Sequence, residues 1–505
     1  MSGPAPDGLL DAVRAYEAAL MADDVATLDL LFAPGPDTLR ADGEGVLVGH
    51  DRIAAFRAAR GGAAQRTLGE VHVREVGPGA ALVVAETVPA RGGRGLLTQL
   101  WQRFPDAAGH GGWRITAAHV SAPPAALDPR VWRVVGDPLV PPSAEGPLTG
   151  QTVAVKDLYA VAGHPVGAGN PAWLAAAAPE AGHAAAVGQL LGAGAAVRGI
   201  ARTDEFAYSL AGTDAHSGTP PNPGAPHRIP GGSSSGSAAA VALGHASVGL
   251  GTDTGGSVRV PAAYQGLHGI RSTHGAVDRT GLLPLAPDFD AVGWLTRSAD
   301  LLATVGDVLL PPAATGGGEQ LVVVPGLVDS AEPDVRAAVR GWLDGSGAKE
   351  LDETLDDLDA WRAAFQTWQG FQAWQAHGAW LADRMEALGP DVRARFATAA
   401  AIDEDTAGRA RALLDTARSR VLELVGDRVL VLPSAPSVAP LRTTGATPEL
   451  RDATMRLTCL AGLAGLPAVS VPVRTAAGLP AGVCLLAAPG RDRALLELVR
   501  EDTRT

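Results

Sequence analysis

An apolar run, Ser247 to Leu250, leads directly into Gly251-Thr-Asp-Thr-Gly-Gly-Ser-Val-Arg-Val-Pro261. This juncture constrains the chain more than any other, because a strand that ends on paired glycines and one serine leaves backbone N–H groups free to turn toward a ligand. Ser257 is the candidate nucleophile, with the N–H groups of Thr254, Gly255, Gly256 and Ser257 as candidate oxyanion donors. Taken alone the segment also reads as an ordinary turn at a strand end. Upstream, Pro230-Gly-Gly-Ser-Ser-Ser-Gly-Ser237 runs into Ala238-Ala-Ala-Val-Ala-Leu-Gly244, which predicts a tightly packed buried helix. Glycine–serine runs are usually linkers, but linkers do not lead straight into apolar helices. A phosphate loop needs Gly-Lys-Ser/Thr, which Gly236-Ser237-Ala238 lacks. Gly232-Ser-Ser-Ser-Gly236 formally matches a nucleophile elbow, yet Pro226-His-Arg-Ile-Pro-Gly231 is not the buried strand that an elbow must follow.

The third element is Lys156, in the alternating apolar run Gln151-Thr-Val-Ala-Val-Lys-Asp-Leu-Tyr159. Of 41 basic residues only Lys156 and Lys349 are lysines, the rest being arginine. A composition this poor in lysine accepts arginine wherever a positive charge suffices, so a lysine inside an apolar strand points to a site that needs deprotonation. The competing reading is a structural ion pair with Asp157 or Asp253. Lys349, in Gly-Ser-Gly-Ala-Lys-Glu, reads as a loop residue.

Lys156, Gly231-Gly-Ser-Ser-Ser-Gly-Ser237 and Gly251-Thr-Asp-Thr-Gly-Gly-Ser257 together resemble the amidase signature family, whose catalytic group is a Ser-cisSer-Lys triad. The resemblance implies Ser257 as nucleophile, Ser233 with a cis peptide as bridging serine, and Lys156 as base. It also implies Ser234 near the lysine and an Asp253–Arg259 ion pair in support. Ser235 stands where the usual block has glycine. The likeness extends through Thr203-Asp-Glu-Phe-Ala-Tyr208, His216-Ser-Gly-Thr-Pro-Pro-Asn-Pro223, Phe289-Asp-Ala-Val-Gly-Trp294 and Leu466-Pro-Ala-Val-Ser-Val-Pro472, in family order. The implied fold is an α/β domain, a large mixed sheet flanked by helices, over residues 146–505. The implied activity is hydrolysis of a small-molecule amide, with no cofactor and no metal, and a homodimer is the expected assembly. Helices between Asp352 and Phe396, with Trp361, Trp368, Trp374 and Trp380, are core candidates of which one or two can meet the substrate.

With 505 residues and 46% hydrophobic content, two domains are expected. Residues 8–32 have helical spacing, Ile53 to Arg60 form a shorter amphipathic segment, and Glu70–Val76, Ala81–Ala85, Leu96–Phe104 and Trp113–Ser121 read as strands. Helices followed by such a meander predict a small α+β, cone-shaped domain with an antiparallel sheet, over residues 1–122. Tyr16-Glu-Ala-Ala-Leu20, Phe56-Arg-Ala-Ala-Arg60 and Ala118-His-Val-Ser121 give it a resemblance to SnoaL-like proteins, in particular to small carboxyurea hydrolases. Arg40, Arg57, Arg60 and His119 are candidates to hold an anion inside the cone, against a reading as solvated arginines and a core histidine. Pro123, Pro124, Pro138, Pro141 and Pro142 mark a proline-rich linker over 123–145.

The net charge of −13 argues against nucleic-acid or anionic-membrane partners. No apolar run is long enough to span a bilayer, and the N-terminus lacks signal-peptide features. Cys459 and Cys484, far from any paired spacing, suit a reducing cytoplasm.

Overall fold

The computed structural model describes residues 5–42, 45–60, 63, 65–89, 95–105, 107, 109–121, 127–312 and 320–502. The chain divides into two units, Met1–Leu127 and Asp128–Thr505.

In the first unit the helices Leu9–Ala22, Val25–Leu31 and His50–Arg60 accompany a six-stranded sheet. Its order is Gly45–Val48, Leu39–Asp42, Trp113–Ser121, Gly95–Arg103, Ala80–Pro89, Arg66–Gly77. The four predicted strands form the antiparallel meander. Two four-residue strands, too short for alternation to reveal, are added, and Leu39–Asp42 pairs in parallel with Trp113–Ser121. Leu9, Val13, Tyr16, Leu28, Trp101 and Trp113 fill the core. Of the residues suggested to hold an anion, His119 departs from the reading. His119 is exposed, neither in the core nor facing inward. Arg40 is buried, donates to Asp42 Oδ2 at 2.8 Å and lies 4.3 Å over the Phe56 ring. Arg57, also buried, donates to Leu28 O at 3.1 Å and lies 3.8 Å over Phe32. Ring faces, a carboxylate and a carbonyl surround these two cations. The Arg60 side chain, like Pro123 and Pro124, lies outside the described residues.

The second unit is built on an eleven-stranded mixed sheet whose buried strands are flanked by helices. Within it Thr152–Lys156 lies parallel to Val248–Asp253, which runs antiparallel to Ala291–Thr296. Every residue of Val248–Asp253 and Ala291–Thr296 is buried, as in strands covered on both faces. Ser235–Ala242 forms the expected buried small-residue helix. Trp132–Val140, read from its prolines as linker, is instead the edge strand beside Ala196–Ala201. Pro138 sits where the ladder register breaks between Val135 and Val140, so its missing N–H removes no pairing bond. Lys349 pairs in a two-residue edge strand rather than a loop, and is exposed. Cys459 and Cys484 are free and buried.

Candidate active site

Lys156 is the last residue of its strand and is wholly buried. Its Nζ lies 2.8 Å from Ser233 Oγ, 3.1 Å from Ser234 Oγ and 2.8 Å from Thr252 Oγ1. All three neighbours are hydroxyls. The alternative partners are occupied elsewhere: Asp157 pairs with Arg133 at 2.6 Å and Asp253 with Arg259 at 2.8 Å. Burial pushes the Lys156 ammonium down to about 7, against the more distant charges of Asp204, Asp253 and Asp290, which push it up. A lysine in this state is half deprotonated near neutrality and can take a proton from a hydroxyl. Thr252 was not singled out from the sequence. It stands two residues beyond Leu250, which pairs with Val155, so its position beside Lys156 becomes visible only once the two strands are known to be neighbours.

The glycine–serine block wraps around this lysine. The Gly232–Ser233 peptide is cis. Asp204, fully buried and also missed from sequence, braces the block at several points. Its N–H donates to Ser233 O at 3.1 Å, and its carboxylate accepts from Gly212 N at 2.9 Å and from Ser235 Oγ at 3.0 Å. Ser235, the departure from the usual glycine, therefore has a hydrogen-bonding role here. Ser234 also donates to Thr252 O at 3.2 Å. Gly251 must be glycine, since a Cβ there would come within 2.6 Å of Ser234 Oγ.

Ser257 lies at the end of the loop from Asp253 and is 3% exposed, at a small niche lined by Tyr208, Gly255, Gln369, Arg451 and Met455. Its N-terminal neighbours are held from several sides. Thr254 Oγ1 donates to Asp290 Oδ1 at 2.6 Å, and Thr458 Oγ1 donates to Gly255 O at 2.5 Å. Arg271 donates to the Asp253 carbonyl, to Thr254 O at 3.3 Å and to Phe289 O at 2.8 Å. One candidate donor is corrected by the structure. The Gly256 N–H donates to Asp253 Oδ1 at 2.9 Å, and the same carboxylate accepts from Val258 N at 3.1 Å. With φ at 120° Gly256 turns its amide back onto Asp253. Among the described residues the N–H groups of Thr254, Gly255 and Ser257 enter no hydrogen bond, and these three are available to an oxyanion.

The Asp253–Arg259 pair is buried on both sides. Burial alone would raise the Asp253 carboxyl, but Arg259 and Arg271 outweigh it and hold it far below the ordinary carboxylate range. Arg259 is pulled down by burial and raised beyond its usual value by Asp253. Arg259→Met leaves that buried carboxylate with only the more distant Arg271, at 3.5 Å, as counter-charge, and denaturant unfolding is expected to show a loss of about 3 kcal/mol; a loss below ~1 kcal/mol would contradict the bracing role.

Beyond the niche opens a cavity of about 850 Å³. The long helix Leu358–Leu381 presents Ala363, Gln366, Thr367 and Gly370 to it. Its tryptophans face elsewhere: Trp361 is buried in the core, Trp368, Trp374 and Trp380 pack against it, and the Trp368 indole donates to Asp288 at 2.8 Å. None of the four lines the described cavity.

The mixed sheet thus sets a buried, hydroxyl-solvated lysine beside a serine-bearing loop. A family profile described as Amidase matches residues 140–323, and an AtzH-like profile matches residues 7–125. Amidase 1 of Oryza sativa subsp. japonica is 36% identical over 398 residues, covering 72% of this chain and 92% of that protein. The 2-amino-5-chloromuconic acid deaminase of Comamonas testosteroni is 34% identical over 375 residues, covering 70% of this chain and 80% of its own length. A solved structure described as a vestigial protein complex revealing the origins of an s-triazine catabolic enzyme is 30% identical. It superposes with a TM-score of 0.66, covering 71% of this chain and 84% of that one. The chain belongs to the amidase family and has an AtzH-like domain at its N-terminal end.

Among the described residues, no helix is long and apolar enough to cross a membrane.

Proposed function

We infer that this chain hydrolyses a small-molecule carboxamide to a carboxylate and ammonia through an acyl-enzyme on Ser257. The observation that carries this reading is the Lys156 Nζ, wholly buried, 2.8 Å from Ser233 Oγ and with hydroxyls rather than carboxylates around it. Neutral Lys156 takes the Ser233 proton as Ser233 takes that of Ser257, and the Ser257 oxygen bonds to the amide carbon. The carbonyl electrons move onto oxygen, where the free N–H groups of Thr254, Gly255 and Ser257 meet them, each such donor contributing about 3 kcal/mol. The proton returns through Ser233 to the leaving nitrogen, and water then cleaves the ester by the same route in reverse. Activated esters are expected to be turned over as well, since attack by serine does not require an amine leaving group. The likeness to enzymes named as an amidase and a deaminase supports release of ammonia. A screen of primary amides for ammonia release tests the reading. No turnover by folded protein, together with no fluorophosphonate labelling of Ser257, would overturn it.

The AtzH-like match over residues 7–125 favours a second reading, hydrolysis of a urea-derived amide or carboxyurea, and carboxyureas belong in the same screen. A glutamine-dependent amidotransferase subunit is disfavoured by Val260, where that group usually has glutamine, and by the N-terminal domain. The free, buried cysteines support a reducing cytoplasm, and a homodimer remains the proposed assembly.

The residues read as triad and support all lie beyond Trp132–Val140. A chain starting at Asp128, which keeps that strand whole, is expected to retain amide hydrolysis, whereas a start at Asp137 cuts the strand in half. Ammonia release by the shorter chain, once circular dichroism shows it folded, checks this. A folded but inert product would mean that the first 127 residues contribute to the chemistry.

A further inference from the structure

The cavity beside Ser257 contains a cation without a counter-ion. It shares Tyr208, Ser209, Leu210 and Arg451 with the niche that reaches the serine. Four charged side chains line it, and three are accounted for. Asp452 is paired with Arg362 at 2.9 Å and accepts from Gln366 at 3.1 Å. Asp391 is exposed on the first turn of the helix Pro390–Ala400 and is solvated there. Arg395 donates to Tyr208 O at 2.7 Å. Arg451 differs: among the described residues its guanidinium enters no hydrogen bond or ion pair, and its Nε is buried without an acceptor. Burial and then the charge of Arg395 push it down to about 10, so at neutral pH it stays protonated in surroundings that disfavour the charge.

The helix Pro448–Ala464 fixes this charge relative to the reacting serine. From that helix Thr458 binds Gly255 O at 2.5 Å and accepts from Arg259 Nη2 through its own carbonyl at 3.0 Å. Met455 lies against Gly255, where a Cβ would meet its Cε at 3.0 Å. Arg451 comes one helical turn before Met455, about 6 Å along the axis. The element that clamps the serine loop therefore also holds the cation at a set distance from it.

We propose that Arg451 receives a carboxylate on the substrate, so that the amides this chain prefers are mono-amides of dicarboxylic acids and kindred carboxylate-bearing amides. A guanidinium presents parallel N–H donors that match a carboxylate in two hydrogen bonds. The second arginine, Arg395, adds to the positive field on the same wall. A neutral amide filling the same volume covers the half-buried guanidinium without supplying an anion, which penalises its binding. The proposal deepens the amidase reading and rests on it for turnover, although not for binding.

The test compares succinamate with 4-methylpentanamide, in which an isopropyl group replaces the carboxylate at nearly equal volume, using the full chain. The parent is expected to favour succinamate in kcat/KM by on the order of 100-fold, chiefly through KM. In Arg451→Met that preference collapses to within about threefold, and Arg451→Lys restores part of it. Equal use of the two amides by the parent, or an unchanged ratio in Arg451→Met, overturns the proposal. A separate readout needs no catalysis: succinate dianion is expected to raise the Tm of the parent and of Ser257→Ala, but not that of Arg451→Met. If Ser257 resists fluorophosphonate while succinate still stabilises the protein through Arg451, the catalytic reading fails and the carboxylate site stands. If Ser257 is labelled and succinate stabilises all three proteins alike, the carboxylate site fails alone.

Discussion

Ser257→Ala is expected to lower kcat/KM for any amide or ester substrate by on the order of 10⁴-fold or more, with the fold and substrate binding retained. The side chain lost is small and borders a niche, so little packing is lost with it. The bond-forming oxygen is removed, and no other hydroxyl takes its place. Ser233 and Ser234 are directed at Lys156 Nζ at 2.8 and 3.1 Å, and the Ser257 carbonyl accepts from Ser234 N at 3.2 Å, which holds the two segments together whatever the side chain. Fluorophosphonate labelling is expected to vanish. Ser233→Ala, in contrast, is expected to slow labelling while leaving a nucleophile to be labelled. Residual activity within about a hundredfold of the parent in Ser257→Ala, a loss of only ~2.7 kcal/mol of transition-state stabilisation, would mean that the attacking group is another.

The second large effect falls on Lys156. Lys156→Arg is expected to be about as inactive as Lys156→Met, because arginine keeps the charge and much of the bulk but does not give up its proton in the working pH range. For the parent, activity is expected to rise with pH through a single ionisation near 7, the value to which burial brings Lys156, and to fade in mild acid while the fold persists. Stability follows with a definite sign. The folded lysine has a pKa of about 7 against 10.5 when freely solvated, so between those values the unfolded chain holds the extra proton and stability rises with pH. Below about 7 both states are protonated and the full burial penalty is felt. Lys156→Met removes that penalty, so its unfolding free energy is expected to be higher than the parent's at pH 6 and to lose the parent's rise between pH 7 and 10.5. A flat pH–rate profile from 6 to 9 would contradict the assignment of Lys156 as the base.

The parts of this site that were legible in the sequence are those a local argument reaches. Lys156 stood out because a chain that otherwise uses arginine kept a lysine inside an apolar strand, and paired glycines before a serine announce a loop with exposed amides. Thr252, Asp204 and Asp290 were not legible, since each acts through a neighbour brought close by strand order or loop packing: Thr252 Oγ1 reaches Lys156 across 96 positions of chain. The Gly256 amide illustrates a different limit. Sequence shows a residue without a Cβ, but only the positive φ and the carboxylate of Asp253 reveal that its N–H is already given away. Trp132–Val140 was hidden by Pro138, whose usual meaning in a sheet changes at an irregular edge strand. The tryptophans between Trp361 and Trp380 showed helical spacing without showing which face meets the cavity; small and polar residues of the same helix do. Arg451 had no local signature, being one of many arginines, and gains significance only from what it lacks as a partner and from the niche it shares with Ser257.

The most direct test of the proposed chemistry is trapping of the acyl-enzyme. Rapid acid quench of the full-length protein turning over an activated ester, followed by peptide mass spectrometry, is expected to find the acyl group on the peptide that contains Ser257, and no adduct on that peptide in Ser257→Ala. An acyl group found on another residue, or steady turnover with no acylated peptide at any quench time under conditions where deacylation limits the rate, would contradict covalent catalysis by Ser257.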